Sequence, residues 1–344
     1  MYPVLKADAY GHGAVSVARR LQSEGADRYA VAIAEEGIAL RRAGIAGEIL
    51  ILGASYASDF PMLRGYGLVP ALGDLDQARG FAERCRNGSA RFPVQLKLDS
   101  GMGRLGFRPD AVPALAELLR RSPGLEVRGV FTQLASDKDP DPGPTRRHLE
   151  ALHKGVEMLR SAGIAPGAVH AASSGAILTK EESLLDAVRP GLALYGVLPS
   201  EDLADPGLTP ALSLETEVLA VKDVPAGTPL GYGGAYVTAR PSRIAVLPIG
   251  YHDGYRRSFT GRATVLLRGG RAPVVGWVSM DLTLVDATET GAEAGDRSVL
   301  LGGFGSDTIT AWELARLADT NPYEILSAIG ARVQRVYEPS DASD

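Results

Sequence analysis

Lys6, Lys97, Arg104, His170, Arg189 and Tyr232 stand out in this chain because their neighbours would let them do chemistry. Lys6 ends the apolar run Pro3-Val4-Leu5, and Tyr10 and a Gly11-His12-Gly13 turn follow it. An amine at the mouth of a strand, beside a glycine-rich turn, suits a Schiff base with a carbonyl cofactor. Taken alone, a surface lysine at a strand end is the more economical reading. Lys97 and Asp99 close another apolar run, and glycines 101 and 103 bring a tight loop to Arg104. Here a functional pair and a solvated charge pair with Asp99 are both open. The stretch His170-Ala171-Ala172-Ser173-Ser174-Gly175 puts two hydroxyls before a helical pattern, which suits a phosphate and equally suits a serine N-cap. Arg189-Pro190-Gly191 is a second basic strand end with a glycine that permits close approach. Tyr232 and Tyr251 lie among glycines, whereas core tyrosines sit in apolar runs; for Tyr236 and Tyr255, hairpin turns with a packing aromatic remain open. The five histidines, His12, His148, His153, His170 and His252, show no metal-ligand spacing, so no metal is expected.

These residues need elements to position them. Short apolar runs predict strands at 2–6, 29–33, 48–52, 67–72, 94–99, 127–132, 168–171 and 187–189. Helical patterns at 14–22, 35–42, 110–120 and 145–161 fall between them. Such alternation predicts a parallel sheet, and eight units over about 195 residues favour a (β/α)₈ TIM-type barrel. An open doubly wound sheet would want a G-x-G-x-x-G after the first strand, and none is there. The polar stretch Pro199-Ser200-Glu201-Asp202-Leu203-Ala204-Asp205-Pro206-Gly207 predicts a boundary, with a barrel over 1–205 and a β-rich C-terminal domain over 206–344. Strands are expected at 243–249, 263–268 and 272–285, with turns at Gly269-Gly270 and Gly302-Gly303. Helices at 310–317 and 322–329 and a last strand around 332–337 complete this half.

The whole chain sets limits. A net charge of −5 without a basic block makes nucleic acid and anionic membrane poor partners. Cys85 is the only cysteine, which excludes an intramolecular disulfide and a cysteine-rich zinc site. No 18-residue apolar run and no charged-then-apolar leader is visible, so a cytoplasmic protein is expected.

Six collinear motifs together resemble the alanine racemases. They are Lys6-Ala7-Asp8-Ala9-Tyr10-Gly11-His12-Gly13, the 97–106 run, Arg189-Pro190-Gly191-Leu192-Ala193-Leu194-Tyr195-Gly196, Gly231-Tyr232-Gly233, Pro248-Ile249-Gly250-Tyr251 and Val278-Ser279-Met280-Asp281. The resemblance implies a barrel and a β domain that bind pyridoxal 5'-phosphate (PLP) and work as a head-to-tail homodimer. It implies that Lys6 holds the cofactor and serves one face of the substrate, while Tyr232 of the other subunit serves the opposite face. Inversion needs an acid and a base on opposite sides, and PLP supplies the electron sink. Lysine and tyrosine hold their protons to about pH 10 in water, so crowded positive charge is the expected device. By resemblance, Arg189 faces the pyridine nitrogen and keeps the sink weak, which suppresses decarboxylation and transamination. Tyr10, Ser174, Gly191 and Leu192 match phosphate contacts, and His170 joins them in the cofactor site. Arg104 and Met280 match substrate-carboxylate contacts, Tyr251 the substrate entrance, and Lys97 a lysine often carbamylated, where it orients Arg104. The implied product is D-alanine for peptidoglycan.

The sequence departs from the family pattern in four places. The strand and helix that precede the cofactor lysine in relatives are missing, which leaves barrel closure and one β-domain strand open. Gln133 stands where the family has a histidine, Ser173 where it has an asparagine, and Ala331 where some members have a tyrosine. Gln133 and Ala331 motivate one alternative, a racemase preferring another amino acid such as serine; the other is a non-catalytic PLP-binding relative, against which the second half bearing Tyr232 argues. A barrel-type decarboxylase would want a cysteine late in the chain, and Cys85 is early.

Overall fold

β1 (Arg28–Val31), β2 (Glu48–Ile51), β3 (Leu68–Leu72), β4 (Phe92–Lys97), β5 (Leu125–Phe131), β6 (Ala168–Ser173) and β7 (Ala187–Arg189) pair in sequence order, all parallel. In β2 the apolar residues run continuously because a parallel sheet is covered on both faces; Ile49, Leu50 and Ile51 are all fully buried. Helices Ala14–Ser23, Ala34–Arg42, Leu75–Cys85, Val112–Arg120 and Pro142–Ser161 alternate with the strands. The structure, a computed structural model, describes residues 1–53, 55–86, 90–137, 139 and 141–338. The chain divides into two units, Met1–Leu194 with Leu198–Pro206, and Tyr195–Val197 with Gly207–Asp344.

Residues 2–5 join the two edges of the seven-stranded ladder. On one side Tyr2 N–H donates to Val188 O at 2.8 Å and Val4 N–H to Pro190 O at 2.9 Å. On the other, Leu5 N–H donates to Ala30 O at 2.8 Å, Ala30 N–H donates to Pro3 O at 2.9 Å, and Val4 bridges Ala30 in parallel. Closure of the ring is therefore made by the residues just before the lysine.

Lys6 does not extend that segment, contrary to the strand expected at 2–6. It begins a left-handed turn in which Ala7, Asp8, Ala9 and Tyr10 have φ of 52°, 53°, 55° and 50°. Each L-residue there costs about 1–2 kcal/mol, so the surroundings must hold it. Glu36 does so: its Oε1 accepts the Ala7 N–H at 2.6 Å and its Oε2 the Ala32 N–H at 2.7 Å. Asp8 Oδ1 accepts the Ala14 N–H at 2.7 Å, fixing the exit into the first helix.

The second unit is an antiparallel sheet. Its order is β17 (Asp307–Ile309), β16 (Arg297–Phe304), β13 (Thr264–Leu267), β14 (Gly270–Val275), β15 (Thr283–Asp286), β12 (Ser242–Leu247) and β9 (Ala220–Val224). β8 (Leu214–Glu217) also pairs with β16, and β10 (Pro229–Leu230) with β11 (Tyr236–Val237) forms a separate hairpin. Three expectations are corrected. The run 272–285 is broken after Val275 by Gly276 at φ 65°, a left-handed bend that opens the loop carrying Met280. Gly302 and Gly303 pair with Ile309 and Thr308 inside the sheet, and the turn comes later, at Gly305. Residues 332–337 form no strand: Arg335 turns its guanidinium onto the carbonyls of Ile329, Gly330 and Val333, so the segment folds on itself. No helix among the described residues is long and apolar enough to cross a membrane.

Candidate active site

In the first unit the singled-out residues gather where the strands end. Lys6 follows the closing segment, Lys97 ends β4, His170 lies on β6, Ser174 follows it, and Arg189 ends β7. The C-terminal ends of barrel strands are where such folds build their sites.

Lys6 Nζ makes no hydrogen bond or ion pair to the described residues. Burial pushes its amine below the usual lysine range, and the nearby Arg104 charge pushes it further, against an opposing pull from Glu36. Lys97 is more deeply buried, with its Nζ 5.7 Å from the centre of the Phe131 ring. Burial, then the charges of Arg104, Arg189 and Lys6, bring it down to about 8. The solvated pair left open with Asp99 is not what forms. Asp99 instead accepts the Gly101 and Gly103 N–H groups, each at 3.0 Å, which folds the loop bearing the exposed Arg104. A cavity of about 320 Å³ opens beside Lys97, lined by Leu52, Ser55, Gly73, Gln77 and Leu105 among others.

Arg189 is 3% exposed, and every acceptor around it is neutral. Its Nη2 donates to Thr132 O at 2.6 Å and to Ala171 O at 3.0 Å; its Nη1 donates to His170 Nδ1 at 2.6 Å. Burial brings Arg189 down to about 10, so it stays charged at pH 7. The same burial, with the Arg189 charge, holds His170 well below its usual value and therefore neutral. Gln133 Oε1 reaches Arg189 only at 3.5 Å. Ser173, the other polar departure on this side, donates to Asp137.

Ser174 Oγ accepts the Gly191 N–H at 2.8 Å and the Ala193 N–H at 3.1 Å, tying the loop after β7 to β6. Ser173, at the N-cap position of the helix Ser174–Thr179, makes no side-chain cap bond. The Tyr10 hydroxyl packs where a Cβ on Gly191 would stand, 2.9 Å away. Leu192 is fully buried.

In the second unit Tyr232 is 77% exposed in the tip between β10 and β11, and Tyr251 and Met280 are exposed as well. Tyr255, by contrast, is a core residue packed on Phe259. Tyr251 N–H donates to Ser279 O at 2.9 Å and His252 N–H to Met280 O at 3.1 Å, so the two loops are zipped together. Asp253 locks them: its Oδ2 accepts the Gly250 N–H at 2.8 Å, and both its oxygens pair with Arg332. Arg332 also reaches Asp281 at 2.7 Å. Sequence reasoning passed over this clasp, because its members are 28 to 79 residues apart and each looks like an ordinary surface charge. It also passed over Gln95, Glu48 and Tyr2, whose only signal is a polar group inside or beside an apolar strand.

A barrel with the half-buried Lys6, the buried Lys97 and the buried Arg189 at its strand ends, followed by a β-rich unit, fits a barrel enzyme of the PLP type. Residues 1–199 match the model of the alanine racemase N-terminal domain and residues 211–337 that of the C-terminal domain. The chain is 43% identical to the alanine racemase of Carboxydothermus hydrogenoformans over 338 residues, 97% of this chain and 92% of that one. It is 44% identical to that of Symbiobacterium thermophilum, over 97% and 89% of the two chains. Among solved structures, alanine racemase from Streptomyces lavendulae superposes with a TM-score of 0.92 at 36% identity, covering 98% of this chain and 90% of that. Alanine racemase from Bartonella henselae, solved with covalently bound pyridoxal phosphate, gives 0.87 at 28% identity over 98% and 92%. The chain belongs to the alanine racemase family and is an enzyme of that family.

Proposed function

We propose that the protein interconverts L- and D-alanine with PLP by a two-base mechanism, as a cytoplasmic homodimer that supplies D-alanine for peptidoglycan. Neither membrane nor nucleic acid has a part in it. The barrel, assigned to residues 1–205, holds the cofactor, and the β domain, residues 206–344, carries the second base.

The observation that carries this reading is Lys6: a half-buried amine without a protein partner among the described residues, aimed by a left-handed turn that costs several times about 1–2 kcal/mol. The other residues fit the same group. Tyr10, Ser174, Gly191 and Leu192 would hold the phosphate, with Gly191 leaving the space that the Tyr10 hydroxyl borders. Arg189 would face the ring nitrogen, with His170 behind it. When bound, PLP supplies the electron sink that makes an α-proton removable.

The chain's own residues then do the rest. Lys6 Nζ, whose hold on its proton is weakened by burial and by Arg104, takes or returns a proton at the substrate α-carbon on one face. The Tyr232 hydroxyl of the partner subunit does so on the other. Arg189 donates only, so it orients without delivering a proton. Arg104 binds the substrate carboxylate together with the Met280 N–H, Tyr251 borders the entrance, and Lys97, carbamylated, orients Arg104. A lysine brought down to about 8 is partly neutral at pH 7, which is the form that reacts with carbon dioxide.

Gln133 and Ala331 keep serine as the second substrate to test. Chiral chromatography after incubating the PLP-loaded protein with L-alanine or L-serine decides: faster formation of D-alanine supports the assignment, faster D-serine moves it, and no D-amino acid removes it.

A further inference from the structure

Counting residues 2–5 as the first strand of the ring, Tyr2, Glu48, Gln95 and His170 come from its first, third, fifth and seventh strands. Four inward side chains from alternate strands make one layer of a barrel core, and such layers are normally filled by branched apolar residues. Here all four carry polar groups, and they are bonded into one chain. His170 Nε2 lies 2.8 Å from Gln95 Oε1; Gln95 Nε2 donates to the Tyr2 hydroxyl at 2.9 Å and to Glu48 Oε1 at 2.8 Å; the Tyr2 hydroxyl donates to the same Glu48 oxygen at 2.8 Å. Gln95 and His170 are fully buried, and the His170 ring is stacked between Tyr2 and Phe131 at 5.1 and 5.0 Å.

The direction of every bond is fixed from the ends. Arg189 can only donate, so His170 Nδ1 accepts; the proton of the neutral ring is then on Nε2 and goes to Gln95 Oε1. That turns the Gln95 amide group toward Tyr2 and the carboxylate of Glu48. A carboxylate that only accepts at one end and a guanidinium that only donates at the other admit a single arrangement between them. Gly129 on β5 leaves the room: a Cβ there would stand 2.9 Å from Gln95 Oε1.

We propose that this polar layer fixes His170 as its Nε2–H tautomer, so that Nδ1 is a standing acceptor holding the plane of Arg189, and that Gln95 is the positioning residue for it. Resting on the proposed cofactor position, the layer sets what Arg189 presents to the ring nitrogen from the far side of the barrel. Lys97 lies two residues beyond Gln95 on β4, so the same strand sets both.

The test reads the imidazole directly, on the full chain labelled with ¹⁵N-histidine and free of cofactor. Long-range ¹H–¹⁵N spectra between pH 6 and 9 are expected to show His170, assigned by loss of its peaks in His170→Asn, protonated at Nε2 alone. In Gln95→Leu the Nε2 partner is gone and the Arg189 donor alone still favours the Nε2–H form, so a tautomer mixture is expected. In Gln95→Glu a carboxylate replaces the amide acceptor and is expected to draw a second proton onto His170, leaving Arg189 without its acceptor. With PLP loaded, kcat of either variant is expected to fall about tenfold, the size of one lost buried hydrogen bond, with KM within about twofold. The proposal is overturned if Gln95→Leu keeps the single Nε2–H form, or, should that variant not fold, if Gln95→Glu keeps a neutral His170. A lowered melting temperature with an unchanged tautomer is a structural role only and overturns it as well. The spectra require no cofactor, so an error in where PLP sits would appear as failed PLP binding with the tautomer result intact.

Discussion

The Tyr10 hydroxyl stands 2.9 Å from the place a Cβ on Gly191 would occupy. Two segments 181 residues apart are thus fitted to each other across the closing edge of the barrel, with Ser174 pinning the same loop.

Gly191→Ala is expected to displace Tyr10 and weaken PLP binding about tenfold, the worth of about 1.4 kcal/mol. Titration of the cofactor-free protein, followed by the cofactor's absorbance, checks this. Unchanged affinity would remove Tyr10 and Gly191 from the cradle.

Mixing inactive variants tests the shared site. Lys6→Ala and Tyr232→Phe are each expected to lose nearly all racemisation. After unfolding and refolding together in equal amounts, random pairing into dimers restores one good site in half of them, about a quarter of wild-type activity. No recovery, with mixed dimers shown to form, would place Lys6 and Tyr232 in the same subunit or remove one from the mechanism.

Lys97 gives a stability prediction with a definite sign. Its pKa is lowered in the folded chain, from 10.5 to about 8, so the unfolded chain binds more protons between those values and stability rises with pH there. Lys97→Met removes this penalty. The variant is expected to be more stable at pH 7, by no more than about 3 kcal/mol, and the gap is expected to close as pH rises from 8 toward 10.5. Denaturant melts of carbon-dioxide-free protein measure it; a gap that widens above pH 8 would contradict it.

Asp253 has the opposite sign. Burial works against its charge, but the Arg332 pair and the Gly250 N–H prevail and hold its carboxyl below the usual range. Its contribution is therefore present above the ordinary carboxyl pKa and is lost as pH falls through the lowered one. Asp253→Asn is expected to cost about 1–3 kcal/mol at pH 7, and less in acid. If the Tyr251 and Met280 loops serve substrate as proposed, KM is expected to rise more than kcat falls.

Much of the barrel was legible because the parallel strands carry short, largely apolar runs between helical patterns, and 187–189 was placed to the residue. The left-handed turn after Lys6 was not: Ala7, Asp8 and Ala9 have no local preference for positive φ, and Glu36, from the next helix but one, holds them there. The loop carrying Met280 was hidden because apolar alternation continues on both sides of Gly276. The clasp of Asp253, Asp281 and Arg332 depends on long-range folding that no single segment records. Motif residues were found where their types are unusual for their place; their partners, such as Gln95 behind His170, are ordinary residues made specific only by contact.

The most direct measurement is proton NMR of L-alanine in D₂O with PLP-loaded wild type and Tyr232→Phe. For the wild type we expect deuterium at the α-carbon together with accumulating D-alanine. For Tyr232→Phe we expect exchange into one enantiomer without inversion. Tyr232→Phe racemising at the wild-type rate would contradict the two-base assignment.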